Sequence, residues 1–384
     1  MEVKQIYQLV NGATQEVLGE SALLKEDLGN LVDIGTAIFN ANAVDAYTRK
    51  LVNHVGRMVF VDRPYAGGVP SVLMDKWLYG SVLEKVSAEM PEATENESWD
   101  LEDGASYDPN VFHKPAINVK FFNKRVTFEI ERSFTEKQLR QSFSSAEQMN
   151  GFLSMIYSAI DKSMTVKVDA LIMRTINNMI GETVYAETSG ASISSRTGNK
   201  AVNLLYMYNQ QYSENLTAAA CLTDADFIRY AAYIMGLYES RLSKISSLFN
   251  IGGEARFTPK DMLHVVTLAD FRKAAAVFLQ SDTFNKDLVS LPQSEEVPYW
   301  QGSGTGYAFT DTGKVYITTA SGHDVTVTGV LGVMFDRDAL GVTNLDRRVT
   351  TNYNAKAEFY NNFYKFDCGS FNDTSENFVV FYAA

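Results

Sequence analysis

Histidine, cysteine and tryptophan are scarce in this chain of 384 residues, with four, two and three copies. Cys221 and Cys368 lie far apart, and His54, His113, His264 and His323 each stand singly. A zinc site needs about four ligands, commonly in close pairs, so no metal is expected and the thiols read as ordinary buried groups. Long apolar runs are missing too. No stretch approaches the roughly 20 residues that cross a bilayer. The first twenty residues carry acids where an export signal has its basic end, and they lack an apolar centre. A soluble protein made in a cytoplasm, with no membrane partner, is the expectation. The sequons at Asn96, Asn215 and Asn372 are then chance matches. Cations are in deficit as well: 34 Lys and Arg against 46 Asp and Glu leave a net charge of −12. That balance excludes a broad basic face for wrapping nucleic acid.

Catalytic signatures are also absent. There is no G-x-S-x-G elbow, no H-E-x-x-H helix and no Cys–His signature. Residues 302–306 (GSGTG) lack the Lys-Ser/Thr ending and the following helix of a phosphate loop, and read as a hairpin tip. The Asp336-Arg337-Asp338 run reads as a turn with local hydrogen bonds rather than an acid–base pair. His264, beside Val265 and Val266, reads as a core residue. No enzyme and no cofactor are expected.

What the chain has in quantity is apolar and aromatic surface. At 46% hydrophobic and 21% charged residues it must fold. Its length exceeds the usual single-core size, so one very large or two or three smaller domains are expected. The 20 Tyr and 23 Phe supply contact area at low entropic cost, which suits assembly better than turnover.

Residues 1–57 read as short amphipathic helices, too sparse to form a core, that pack on something else. Residues 82–108 hold nine carboxylates against Lys85 alone, a net of −8. Residues 113–140 run the other way, with seven cations against three acids. Between them, alternation at Ile117, Val119 and Phe121 and again at Val126, Phe128 and Ile130 predicts one long strand over 117–131, bulged near Asn123. Capping boxes follow at Thr135/Gln138, which opens a short helix, and at Ser145/Gln148. The second opens a spine helix over 145–180 with apolar residues at steps of three and four, stopped by Gly181. Further on, Thr223 with Asp226 caps a helix through about residue 243. A strand at 264–267 feeds a helix at 268–280, and strands are predicted at 315–318, 324–333 and 378–382. The fold class is α+β.

This order of arm, charged loop, long strand, spine helix, mixed domain and closing strands resembles the major capsid proteins of tailed bacteriophages, the Hong Kong 97-type (Johnson) fold. The resemblance is carried by residues 126–142 (VTFEIERSFTEKQLRQS), 159–162 (AIDK), 333–342 (VMFDRDALGV) and 375–381 (SENFVVF). It implies an N-terminal arm over 1–57, an extended hairpin loop over 58–125 and a peripheral domain over 126–200. An axial domain over 201–340 and closing strands over 341–384 complete it. It further implies hexamers and pentamers that build an icosahedral virion head, assembled in the host cytoplasm around double-stranded DNA that is contacted weakly. Portal, scaffolding and decoration proteins are implied further partners. Some relatives crosslink subunits through Lys and Asn; no such crosslink is predicted here. An encapsulin-like shell and a phage tail or baseplate protein are the alternative readings.

The charge pattern adds an expectation of its own. Glu95, Glu97, Asp100 and Glu102 of the acidic segment are candidate intersubunit contacts for Lys120, Lys124 and Arg125 of a neighbour. Exposed pairs contribute only about 0–1 kcal/mol each, so they would set register more than stability.

Overall fold

The computed structural model describes residues 11, 14–15, 69, 72–74, 83–88, 91, 93, 102–105, 110, 112–115, 117–135, 146–190, 192–280, 294–300 and 309–384. Most of the expected arm, the capping residues around 136–145 and the 302–306 tip lie outside them. In chain order the strands are β1 (Leu73–Met74), β2 (Leu83–Ala88), β3 (Ile117–Phe122), β4 (Arg125–Thr135) and β5 (Ala201–Asn203). They continue as β6 (Leu263–Leu268), β7 (Glu295–Val297), β8 (Val315–Thr318), β9 (Asp324–Val327) and β10 (Val330–Asp336). The last three are β11 (Leu340–Asn354), β12 (Phe359–Asn372) and β13 (Phe378–Tyr382). The main helices are α1 (Ala146–Thr188), α2 (Leu204–Tyr212), α3 (Ala225–Leu242) and α4 (Ala269–Gln280).

The chain divides into two units. The first comprises residues 1–78, 125–174 and 342–369. Its sheet has the order β1-β11-β12-β4. β4 and β12 pair antiparallel from Thr135↔Phe359 to Arg125↔Gly369. Alternation sets the faces of β4: Val126, Phe128 and Ile130 are half-buried while Arg125, Thr127 and Glu129 face water. Phe128 packs on its cross-strand partner Phe366, with ring centroids 5.1 Å apart.

The second unit comprises residues 79–124, 175–341 and 370–384. Its sheet runs β5-β13-β10-β6-β7. Every residue of β10 (VLGVMFD) and β13 (FVVFY) is buried, which is why both read as unbroken apolar runs rather than alternating ones. α2, α3 and α4 contribute Tyr208, Phe227, Met235 and Phe271 to a core shared with Val265, Met334 and Phe381. Trp300 is buried beside this sheet, its Nε1 donating to the Val330 carbonyl at 2.9 Å and its own carbonyl accepting from Asn177 at 2.7 Å.

Four sequence expectations are corrected. The single strand over 117–131 is two strands of different sheets: β3 pairs with β2, and β4 pairs with β12. Asn123 and Lys124 separate them, and the break moves the apolar set from odd to even positions. The spine helix does not stop at Gly181 but runs to Thr188, where Ser189 and Gly190 take φ of 52° and 77° and end it. Gly181 is a packing residue instead, because a Cβ there would overlap the Ile317 side chain of β8. The cap of α3 is Asp224, whose carboxylate accepts from the Phe227 N–H at 2.7 Å; Thr223 bonds back to Ala220. The strand over 324–333 breaks into β9 and β10 at Gly329, which has φ 68°. Strands 315–318 and 378–382 stand as expected.

Candidate assembly element

The β2–β3 hairpin has an unusual distribution of side chains. Its register pairs Leu83↔Phe122, Glu84↔Phe121, Lys85↔Lys120, Val86↔Val119, Ser87↔Asn118 and Ala88↔Ile117. Successive side chains alternate faces, so Lys85, Ser87, Asn118 and Lys120 share one face, and Val86, Ile117, Val119 and Phe121 share the other with Glu84, which lies opposite Phe121 at one end. The apolar face is the exposed one: Val86 is 61%, Ile117 58% and Phe121 65% exposed. The cationic face is turned toward the turn between β12 and β13.

That turn receives it with two carboxylates. Asp373 Oδ1 lies 2.7 Å from Lys120 Nζ and its Oδ2 lies 2.8 Å from Lys85 Nζ. Glu376 Oε1 is 2.7 Å from Lys85 Nζ and 3.7 Å from Arg256 Nε. Arg256 also donates to the Ser87 hydroxyl at 3.1 Å, and Lys85 to the Asp338 carbonyl at 3.1 Å. Lys120 bonds Ser375 Oγ. The Asp373 side chain is 2% exposed. It is held by the Ser375 N–H at 3.0 Å, and its own N–H donates to the Ala339 carbonyl at 2.7 Å. Burial opposes charge on both partners, but the hydrogen bonds outweigh it. Lys85 is thus held above the ordinary lysine value and Asp373 below the ordinary carboxylate value.

The candidate contact residues of the sequence fall in different places. Glu95, Glu97 and Asp100 lie outside the described residues. Glu102 is exposed in a short turn, its carbonyl accepting from the Ala105 N–H at 3.2 Å. Lys120 is engaged within its own chain, by Asp373. Lys124 is exposed between β3 and β4, and its carbonyl accepts from the Ser370 N–H at 3.1 Å. Arg125 opens β4, where its guanidinium lies 3.5 Å from the Asp367 carboxylate. Arg348 reaches the same carboxylate at 2.9 Å. Asp373, Glu376 and Arg256 escaped sequence reasoning. The turn-forming FNDTSEN run over 371–377 marks a loop, but no local signal links its Asp373 to lysines 253 and 288 positions earlier.

Beyond Ala88 lies an open cleft of about 650 Å³ bordered by Arg256, Phe257, Met262, Asp338 and Glu376. Asp336 is committed nearby, accepting from Thr258 Oγ1 at 2.8 Å and the Asp338 N–H at 2.9 Å, so the Asp336-Arg337-Asp338 run is a hydrogen-bonded turn. His264 packs near Phe335, and burial lowers its pKa. Cys221 and Cys368 are both buried and in no disulfide. Among the described residues no group of three or more His, Cys, Asp or Glu is placed to hold a metal ion. No described helix is long and apolar enough to cross a membrane.

No curated protein matches this sequence. Solved structures do. A chain from the structure of head fiber and inner core protein gp22 of native bacteriophage P68 aligns over 85% of this chain and 86% of that one, at 8% identity and a TM-score of 0.50. The capsid of Staphylococcus phage Andhra aligns over 84% and 86%, at 10% identity and a TM-score of 0.48. A native GTA particle capsid aligns over 84% and 92%, at 11% identity and a TM-score of 0.43. Identities this low speak to the fold, and the α+β architecture is of the Hong Kong 97 type. Sequence family is shown separately: the model of the Phi29-like phage major capsid protein matches residues 9–382. A chain with that match along nearly its whole length belongs to the Phi29-like phage major capsid protein family.

Proposed function

We propose that the protein forms hexamers and pentamers that close into an icosahedral head around double-stranded DNA, and that the outward face of the β2–β3 hairpin is one of the surfaces joining its copies. A major capsid protein builds a virion shell from copies of itself. The observation that carries the hairpin reading is the exposure of Val86, Ile117, Val119 and Phe121 together on one side of a two-stranded ribbon. A contiguous apolar face of this kind is stable in water only at a cost that a second copy removes. The role is structural and non-enzymatic.

The acidic segment supports a second layer of the same reading. Glu95, Glu97, Asp100 and Glu102 pair with cations of a neighbour, Lys124 and Arg125 being the two exposed ones of the three proposed. With a net charge of −12 the shell encloses DNA without gripping it. Portal, scaffolding and decoration proteins join it during assembly in the host cytoplasm. The proposed division into arm (1–57), hairpin loop (58–125), peripheral domain (126–200), axial domain (201–340) and closing strands (341–384) follows the same resemblance.

Negative-stain microscopy of the purified protein tests this. Closed shells are expected for wild type, and free capsomers or monomers for Phe121→Asp at unchanged thermal stability. Rings or fibres from wild type would overturn the shell reading, and normal shells from Phe121→Asp would overturn the hairpin's part in it.

A further inference from the structure

The hairpin is held to its own unit by charge more than by burial, since its apolar residues point outward and only its end near Leu83 and Phe122 turns apolar groups inward. Phe122 packs there on Phe371 at 5.3 Å between ring centroids. Lys85 and Lys120 sit directly opposite each other across the two strands. Like charges in that position destabilise a ribbon, and a two-stranded ribbon is marginal to begin with. Asp373 resolves the conflict by giving one carboxylate oxygen to each lysine.

We propose that Asp373, assisted by Glu376, is the positioning residue of this hairpin: a charge latch that holds the ribbon down by its lysine pair and so fixes how Val86, Val119 and Phe121 are offered to a second copy. The positioning role rests on the reading of that face as an assembly surface; the latch itself does not. The carboxylate is rigid because the Ser375 N–H and the Ala339 carbonyl fix the turn that carries it. The charged groups facing it are Lys85 on β2, Lys120 on β3, and Arg256 and Glu376 beside them, three cations to two carboxylates. Removing either carboxylate leaves three cations around one, so the ribbon is repelled rather than merely released. The lysines are 22% and 35% exposed, which leaves the latch open to screening by salt.

Hydrogen–deuterium exchange on the unassembled full-length protein tests the latch without using assembly as the readout. In Asp373→Asn the amides of residues 83–88 and 117–122 should exchange on the order of tenfold faster, while those of β10 and β13 keep the wild-type rate. Wild-type hairpin amides should also exchange faster as salt rises from about 0.05 M to about 0.5 M, and those of the variant should respond far less. Lys120→Met, which leaves Asp373 paired with Lys85, should loosen the hairpin and keep the sheet intact even if Asp373→Asn unfolds; Lys120→Arg should restore protection. Hairpin exchange unchanged in both Asp373→Asn and Lys120→Met, or a salt-independent wild type, would overturn the latch. A loosened hairpin with undiminished particle yield would overturn its positioning role, and that result faults the assembly reading of the face rather than the latch.

Discussion

Lys120 and Asp373 are 253 positions apart and meet at 2.7 Å, where a lysine of the hairpin is neutralised by the turn that joins β12 to β13. Lys120 was a candidate for pairing with a neighbouring subunit, and this contact within its own chain gives it a local task.

Acid should weaken the structure through this contact. The folded pKa of Asp373 lies below its unfolded value of about 3.9, so its stabilisation is complete above that range and is lost as pH falls through the lowered folded value. Lys85, held above its ordinary value, contributes stability that is present below about pH 10.4 and lost only as pH rises through the folded value, so it adds nothing to the acid limb. Hydrogen exchange of residues 83–88 and 117–122 across the acid range should show the hairpin of Asp373→Asn on the order of tenfold less protected near neutrality, with the gap closing toward low pH. A gap that stays constant with pH would show that the carboxylate's charge is not what matters.

Charge in the acidic segment should govern the order of assembly more than its strength. Replacing Glu95, Glu97, Asp100 and Glu102 by their amides should slow particle formation at low salt and remove most of its salt dependence. Light scattering during assembly reads both. Unaltered kinetics and salt response would remove the segment from the interface.

Gly181 should resist substitution despite its place inside a helix. Alanine normally stabilises such a site by about 0.5–1 kcal/mol, but here its methyl meets Ile317. Gly181→Ala should instead cost about 1–3 kcal/mol in chemical denaturation, and Ile317→Ala should recover part of that in the double variant. Additive losses would place the cause elsewhere.

The thiols should be silent in the native protein. Burial raises the Cys221 pKa to about 12, and both cysteines are buried thiols outside any disulfide. An aromatic disulfide reagent near pH 8 should label neither thiol in minutes and both after unfolding. Rapid native labelling of Cys221 would contradict its burial.

Much of the architecture was legible in the sequence, because strands and helices announce themselves through local periodicity. The runs that became β8 and β13 carry an alternating and a fully apolar pattern over a few residues, and α1 carries apolar positions at steps of three and four. Errors arose where one residue type serves two purposes. Gly181 looks like a helix stop and is a packing surface, a distinction decided by Ile317 on a strand 136 positions away.

The hairpin separates the two kinds of information most clearly. Alternation at Ile117, Val119 and Phe121 determines that these residues share a face, since the pleat of a strand repeats every two residues. It does not determine which face meets the body, because either side of a ribbon can be turned inward. That choice was made by the tertiary structure, which set Asp373 and Glu376 beneath the lysines and left the apolar side to the solvent. Pairwise attraction between charges depends on distance in space and not along the chain, so a latch closed by residues 253 and 288 positions apart becomes visible once the chain is folded.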